Sequence, residues 1–155
     1  MKKLTQFLLA NTLLFATTLC LAASLSTTKE IPIFVVNNAK DITAHISASN
    51  WATTPLELIH KDIEPNTKAL AAAPEVSGEY NVSINIQLGD SPLKTRYNTA
   101  VATISGSLSL ADLYTIRNIA PPILVVNNKQ YYLSITAGTS ILGGGDTIVT
   151  ITPYA

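Results

Sequence analysis

The chain has 155 residues, and its ten Lys or Arg balance ten Asp or Glu. The basic residues are scattered, which excludes both the basic face that nucleic-acid binding needs to displace counterions and a polybasic patch for anionic lipid. The single cysteine, Cys20, leaves nothing downstream for a disulfide, a thiol nucleophile or a thiolate metal site.

Lys2 and Lys3, the apolar run Phe7 to Leu21, and the small residues Ala22, Ala23 and Ser24 have the layout of a secretory signal peptide. The run is short for a membrane span, and cleavage is expected after Ala22 or Ala23. Leu19 is too large for the residue that precedes a lipidated cysteine, which disfavours a lipoprotein built on Cys20. The short Met-Lys-Lys start is of a bacterial type. Residues 1–23 are therefore read as a signal peptide and 24–155 as one exported domain, expected in a periplasm, at the cell surface or outside the cell, with no membrane span after cleavage. Without Lys2 and Lys3, eight basic residues face ten acidic ones, a net charge of about −2. Roughly 132 residues suffice for one sizeable core.

Strand patterns dominate the rest of the chain. Short apolar alternations occur at Ile31–Val36 and Ile42–Ser47, and Leu56–His60 is a further expected strand. Asn66–Ala73 carries three alanines before Pro74 and is expected to form one or two helical turns. The clearest strand comes next: Tyr80, Val82, Ile84, Ile86 and Leu88 alternate with Asn81, Ser83, Asn85 and Gln87 between Gly78 and Gly89-Asp90. Thr99–Ser105 continues the pattern. Ser109–Thr115 has a serine suited to a helix N-cap and Asp112 three residues on, which predicts a second short helical turn. Ile123–Val126, Tyr131–Thr136 and Thr147–Thr152 complete the set. Seven or eight short strands rich in Val, Ile, Thr and Tyr predict an all-β fold, an antiparallel immunoglobulin-like β-sandwich. Its predicted core holds Val82, Ile84, Ile86, Ile123, Val125, Leu133, Ile135 and Val149.

Pro32-Ile33-Phe34-Val35-Val36-Asn37-Asn38 is echoed by Pro122-Ile123-Leu124-Val125-Val126-Asn127-Asn128. Each leads from an apolar strand into an Asn-Asn turn, since asparagine tolerates the left-handed conformation of tight hairpins. A duplicated ligand-binding hairpin would explain the echo; two hairpins converging on the same strand-turn chemistry is the simpler reading, because a solenoid needs at least three units.

Little in the chain points to catalysis. His45 and His60 are the whole imidazole supply, and neither sits in a metal-binding spacing such as HExxH. Gly143-Gly144-Gly145-Asp146 precedes a strand, not the helix a phosphate loop requires, and Asp146 alone falls short of a calcium site. Ser105-Gly106-Ser107 lacks the second glycine of a nucleophile elbow. Asp62 and Glu64 near His60, and Glu75 and Glu79 around a turn, are expected to be solvated loop charges and not acid–base pairs. Trp51, the only tryptophan, is expected as a core or half-buried anchor; the rival reading is a carbohydrate-stacking platform. No enzyme, cofactor or metal is expected.

Two stretches resemble a known family. The order of a strand, Leu110-Ala111-Asp112-Leu113, Pro122-Ile123-Leu124-Val125, a tight turn and Tyr132-Leu133-Ser134 is similar to the later part of the alpha-class chaperone–usher fimbrial major subunits, of the colonization-factor-antigen type. The ending Gly145-Asp146-Thr147-Ile148-Val149-Thr150-Ile151-Thr152-Pro153-Tyr154 resembles the glycine-then-alternating-strand close of pilins. The resemblance implies a structural subunit of a bacterial surface fibre, with other copies of itself and a periplasmic chaperone as partners. It implies a sandwich short of one strand, completed by the next subunit's N-terminal extension. That extension would be Ser24–Val36, with Ile31, Ile33 and Val35 as the donor residues facing the groove. The alternative is a self-contained periplasmic or secreted β-sandwich binding protein in which Ile31–Val36 is an ordinary first strand.

Overall fold

The described residues of the computed structural model are 28–109, 112–138 and 146–155, and the regular structure among them is all strand. The expected signal peptide and Gly143–Gly145 lie outside them. In chain order the strands are β1 (Thr28–Glu30), β2 (Ile33–Asn37), β3 (Ala44–Ala48), β4 (Asp62–Ile63), β5 (Thr67–Ala72), β6 (Glu75–Ser77), β7 (Glu79–Leu88), β8 (Thr99–Ser109), β9 (Asp112–Ala120), β10 (Ile123–Val126), β11 (Lys129–Ala137) and β12 (Thr147–Pro153). One five-stranded sheet has the order β10-β11-β12-β2-β5, a second the order β4-β3-β7-β8-β9, and β1 and β6 form a two-stranded ribbon.

β7 and β8 form the longest ladder with their neighbours because both alternate over nine or more residues; Val82 pairs with Ile104 and Ile84 with Ala102. One face of that ladder carries Val82, Ile84, Ile86 and Ile104, all fully buried. They join Ile33, Val35, Leu133, Val149 and Ile151 of the other sheet in a single buried cluster. Each such side chain gains about 1.5–3 kcal/mol from leaving water.

The two expected helical turns are strands. Thr67–Ala72 is β5, paired antiparallel with β2 through Phe34 and Leu70. Alanine's helix preference is worth only tenths of a kcal/mol per residue, and the complete burial of Ala71 and Ala72 in the core outweighs it. Ser109 ends β8 and Asp112 opens β9 as cross-strand partners, so the Ser-x-x-Asp pattern marks a hairpin corner. A single helical turn nucleates poorly beside a nine-residue ladder. Leu56–His60 reduces to one bridge, Leu58 with Ala72. Among the described residues there are twelve strands where seven or eight were expected, because short ladders such as β4 and β6 carry too few residues to show a period.

The pairing is mixed where antiparallel order was expected throughout: β12 runs parallel to β2, with Val149 opposite Val35. Periodicity reports which face is buried and is blind to strand direction. In β10 the phase also differs from expectation. Leu124 is fully buried, whereas Ile123 and Val125 are 44% and 40% exposed. Four consecutive apolar residues have no period, so the register is set by the turn that comes after them. Asn127 and Asn128 take φ of 51° and 61° and close the two-residue hairpin that puts Val126 opposite Lys129. Ile135 is only partly buried.

The echoed Asn37-Asn38 does something else. Asn37 is fully buried, and its side-chain amide donates to the carbonyls of Ile42 (2.8 Å) and Ile63 (3.1 Å) while its oxygen accepts from the Ala39 amide. It anchors the passage from one sheet to the other, so the two copies of the motif are not duplicate hairpins.

Candidate functional site

The three donor candidates lie inside their own chain's core. Ile31 is 1% exposed, and its amide donates to the Pro74 carbonyl (2.9 Å); Ile33 and Val35 are fully buried on β2. β2 is flanked on both sides, by β12 and by β5. Phe34 and Val36, on the opposite face, are half-buried, and Lys68 stacks over the Phe34 ring at 4.8 Å.

The titratable residues that neighbour each other in sequence find different partners in the fold. His60 Nδ1 meets the Leu70 carbonyl at 2.8 Å, away from the two acids beside it in sequence. Asp62 turns instead to His45, at 2.7 Å from Nδ1, and Asp90 approaches Nε2 at 2.9 Å. The hydrogen bond with Asp62, helped by Asp90, raises the His45 pKa above its ordinary 6.5 in spite of partial burial. This clamp joins β3, β4 and the turn after β7 on an exposed surface. The Thr43 hydroxyl donates to Glu64 at 3.4 Å. Glu75 lies opposite Glu30 in the β1–β6 ribbon. Among the described residues, no group of three or more His, Asp or Glu is placed to hold a metal ion. No helix among them is long and apolar enough to cross a membrane.

A hollow of about 720 Å³ lies beside the β10–β11 turn and the chain end, lined by Lys40, Asp41, Lys129, Tyr131 and Tyr154 among others. Two of its charges satisfy one another. Lys129 is paired with Asp41, and the Tyr131 hydroxyl donates to the same carboxylate at 3.4 Å. The ammonium of Lys129 holds the Asp41 carboxyl below its ordinary pKa.

Trp51 corrects the sequence-based expectation most sharply. It is 79% exposed and stands at the tip of the turn after β3. A solvent-facing ring usually rides on a loose loop, but this one is fastened. The Ser49 amide donates to the Ser83 carbonyl (3.1 Å), and the Thr53 and Thr54 amides both donate to the Asn81 carbonyl (3.1 and 3.0 Å). Within the turn, the Trp51 amide donates to Ser49 Oγ (3.3 Å). The ring borders a hollow of about 390 Å³ over the outer face of β7 and β8, lined by Asn81, Thr103, Val101 and Ala120, with the fully buried Ser83 beneath. A second hollow of about 380 Å³ continues along that face between Thr53, Glu79, Ser105 and Tyr114, and Asn81 belongs to both. On the opposite, core-facing side of β8, Gly106 leaves room for the Tyr80 ring, whose hydroxyl meets Thr115 Oγ1 at 2.8 Å.

The signal for this face is present in the sequence. Asn81, Ser83 and Asn85 are the polar half of the clearest alternation, and Trp51 is the only tryptophan. Alternation alone cannot say whether a polar sheet face is bare or carries a loop, and it is the loop that brings Trp51 there. No known family model matches the sequence, and no curated protein is significantly similar to it.

Proposed function

We propose that the mature chain is a self-contained exported β-sandwich that acts as a non-enzymatic binding module, its two five-stranded sheets packed face to face in the immunoglobulin-like manner. One observation carries this reading: β2 lies between β12 and β5 of its own chain, with Ile33 and Val35 fully buried. A strand so placed completes a core without help from a partner. The single buried cluster drawing on both sheets supports the sandwich. The dispersal of the two histidines, each engaged by a different element, supports a non-enzymatic role.

A fibre subunit built by strand exchange is the second reading, and the same slot favours it. β12 and β5 hold between them a segment from near the chain start, and the corresponding segment of another copy fits there with the same apolar face. The two readings part in solution. The mature chain, 24–155, is purified without a chaperone and sized, then mixed with a peptide copying Ser24–Val36. A self-contained sandwich stays monomeric and its melting temperature ignores the peptide. Polymerisation, together with a rise in melting temperature that vanishes when the peptide carries Ile33→Asp, rejects it in favour of the fibre.

A further inference from the structure

We propose that the outer face of β7, β8 and β9 beside Trp51 is a binding site for a neutral oligosaccharide; this deepens the binding-module reading and rests on it. The first argument is the tryptophan. An indole left 79% in water forgoes the burial that would repay its apolar surface, yet its turn is bonded to β7 at Ser49, Thr53 and Thr54. The ring is thus presented in a fixed place. Its electron-rich face suits the slightly positive C–H bonds on the flat side of a pyranose ring, and its indole N–H makes no hydrogen bond within the described residues.

The second argument is the floor. Ligand sites combine apolar or aromatic walls with a few polar groups that fix orientation. Here the walls are Trp51 at one end and Tyr114, 43% exposed, towards the other. The polar groups are short hydroxyls and an amide. The Ser83 hydroxyl is occupied, donating to Asn81 Oδ1 at 3.2 Å and meeting Thr103 Oγ1 at 3.1 Å. Neither the Asn81 Nδ2 group nor the Ser105 hydroxyl makes a hydrogen bond within the described residues. From the Glu79 row to the Ser83 row the strands rise roughly 13 Å, the span of a few sugar units.

The third argument is charge. Among the described residues, no Lys, Arg or His lines either hollow, and Glu79 is the one acidic side chain that does. A phosphate, a nucleic acid or an acidic glycan would find no cation to meet it. A carboxylate accepts well from sugar hydroxyls. The chemistry that remains is polyhydroxylated, uncharged and flat-faced.

The test uses the mature chain and the hexasaccharides of cellobiose, maltose, laminaribiose and chitobiose type. Because Trp51 is the only tryptophan, fluorescence excited selectively at tryptophan reports from this face alone, and calorimetry gives the affinity. At least one hexasaccharide should bind with a millimolar or tighter Kd and shift the emission. Trp51→Ala should weaken that binding about tenfold or more, as loss of a central aromatic anchor does, and Asn81→Ala should weaken it several-fold. Trp51→Phe should retain part of it, and Tyr154→Ala, outside both hollows, should leave it unchanged. Circular dichroism on each variant confirms folding, which Trp51→Ala should not disturb since the ring is exposed. Failure of all four hexasaccharides to bind, full binding by Trp51→Ala, or tighter binding of an acidic glycan such as polygalacturonate overturns the proposal. A chain that stays monomeric but binds no sugar sinks this inference and leaves the self-contained sandwich standing; a chain that polymerises and takes up the Ser24–Val36 peptide sinks the sandwich reading itself.

Discussion

Replacing Gly106 by alanine is the most discriminating single change to the fold. Alanine in place of glycine within a strand normally helps, by about 0.5–1 kcal/mol, because it narrows the unfolded ensemble. Here a Cβ would stand 2.5 Å from Tyr80 Oη and 2.8 Å from Tyr80 Cζ, and would also meet the Tyr114 carbonyl oxygen across the ladder. Real Cβ atoms are not found so close to other heavy atoms. The carbonyl is backbone and can yield only by distorting the β8–β9 pairing. The Tyr80 ring can yield by rotating, which breaks its hydrogen bond to Thr115 and disturbs a side chain only 5% exposed. Overpacking costs about 1–3 kcal/mol and the lost hydrogen bond about 1 kcal/mol more, so Gly106→Ala should destabilise by about 2–4 kcal/mol. Urea unfolding of the mature chain measures this directly, with Tyr80→Phe as a companion that removes the hydroxyl alone and should cost about 1 kcal/mol. A Gly106→Ala protein as stable as the parent, or more so, would mean that Tyr80 does not cross that position.

Three further predictions concern the core, a turn and the His45 clamp. Val35→Ala should lower stability by about 2–3 kcal/mol in the isolated mature chain, whereas Asn85→Ala, on the outer face, should stay within about 0.5 kcal/mol; equal effects in urea melts would contradict the placement of β2. Asn128, at φ 61°, should accept glycine with little change, but Asn128→Val should cost about 1–2 kcal/mol by differential scanning calorimetry, since a β-branched residue resists that conformation. His45 has a folded-state pKa raised above 6.5, chiefly by its hydrogen bond with Asp62. The protonated ring is therefore favoured by folding, and the gain is fully present below pH 6.5 and lost as pH rises through the raised value. The clamp is largely solvent-exposed, so its worth is about 0.5 kcal/mol. Melting temperatures measured from pH 5 to 9 should show a small fall on the alkaline side that Asp62→Asn reduces, and a change of the opposite sign would refute the assignment.

The strand pattern was legible wherever one face meets water and the other the core. β7 is plain in the sequence because Tyr80 to Leu88 alternates without a break, and β8, β11 and β12 obey the same logic. Legibility ended where alternation did. Ile123–Val126 is apolar throughout, so its phase had to come from the Asn127-Asn128 turn, and Asn66–Ala73 was judged on alanine content when its fate depended on β2, far away in sequence. The donor candidates show a deeper limit. Alternating Ile31, Ile33 and Val35 announce burial, but the same spacing serves a strand that fills its own core and one that fills a neighbour's. At the candidate site, the floor residues were visible as the polar half of an alternation. Rarity alone does not place Trp51; its exposed position follows from backbone bonds between Ser49, Thr53 and Thr54 and β7 that composition does not encode.

The position of β2 also constrains how the domain is assembled. Its partner on one side is β12, the last described strand, and its partner on the other is β5, so the sheet β10-β11-β12-β2-β5 closes only when β2 meets a strand more than a hundred residues away. Pairing Ile33 with Thr147 closes a loop of nearly the whole domain, so this step is expected to follow the local β7–β8 and β8–β9 hairpins. The second sheet, by contrast, is built mostly from strands adjacent in sequence and can form first. It is this early sheet that carries Trp51, Asn81 and Tyr114, so the proposed glycan face does not wait on β2. The two ends of the molecule are thereby separable by experiment: a change such as Val35→Ala should lower overall stability while leaving the fluorescence response to a bound hexasaccharide intact under conditions where the variant is still folded. If instead Val35→Ala abolished the response in the folded protein, the outer face and the β2 slot would have to be one coupled unit, and the division of labour between the two sheets would be wrong.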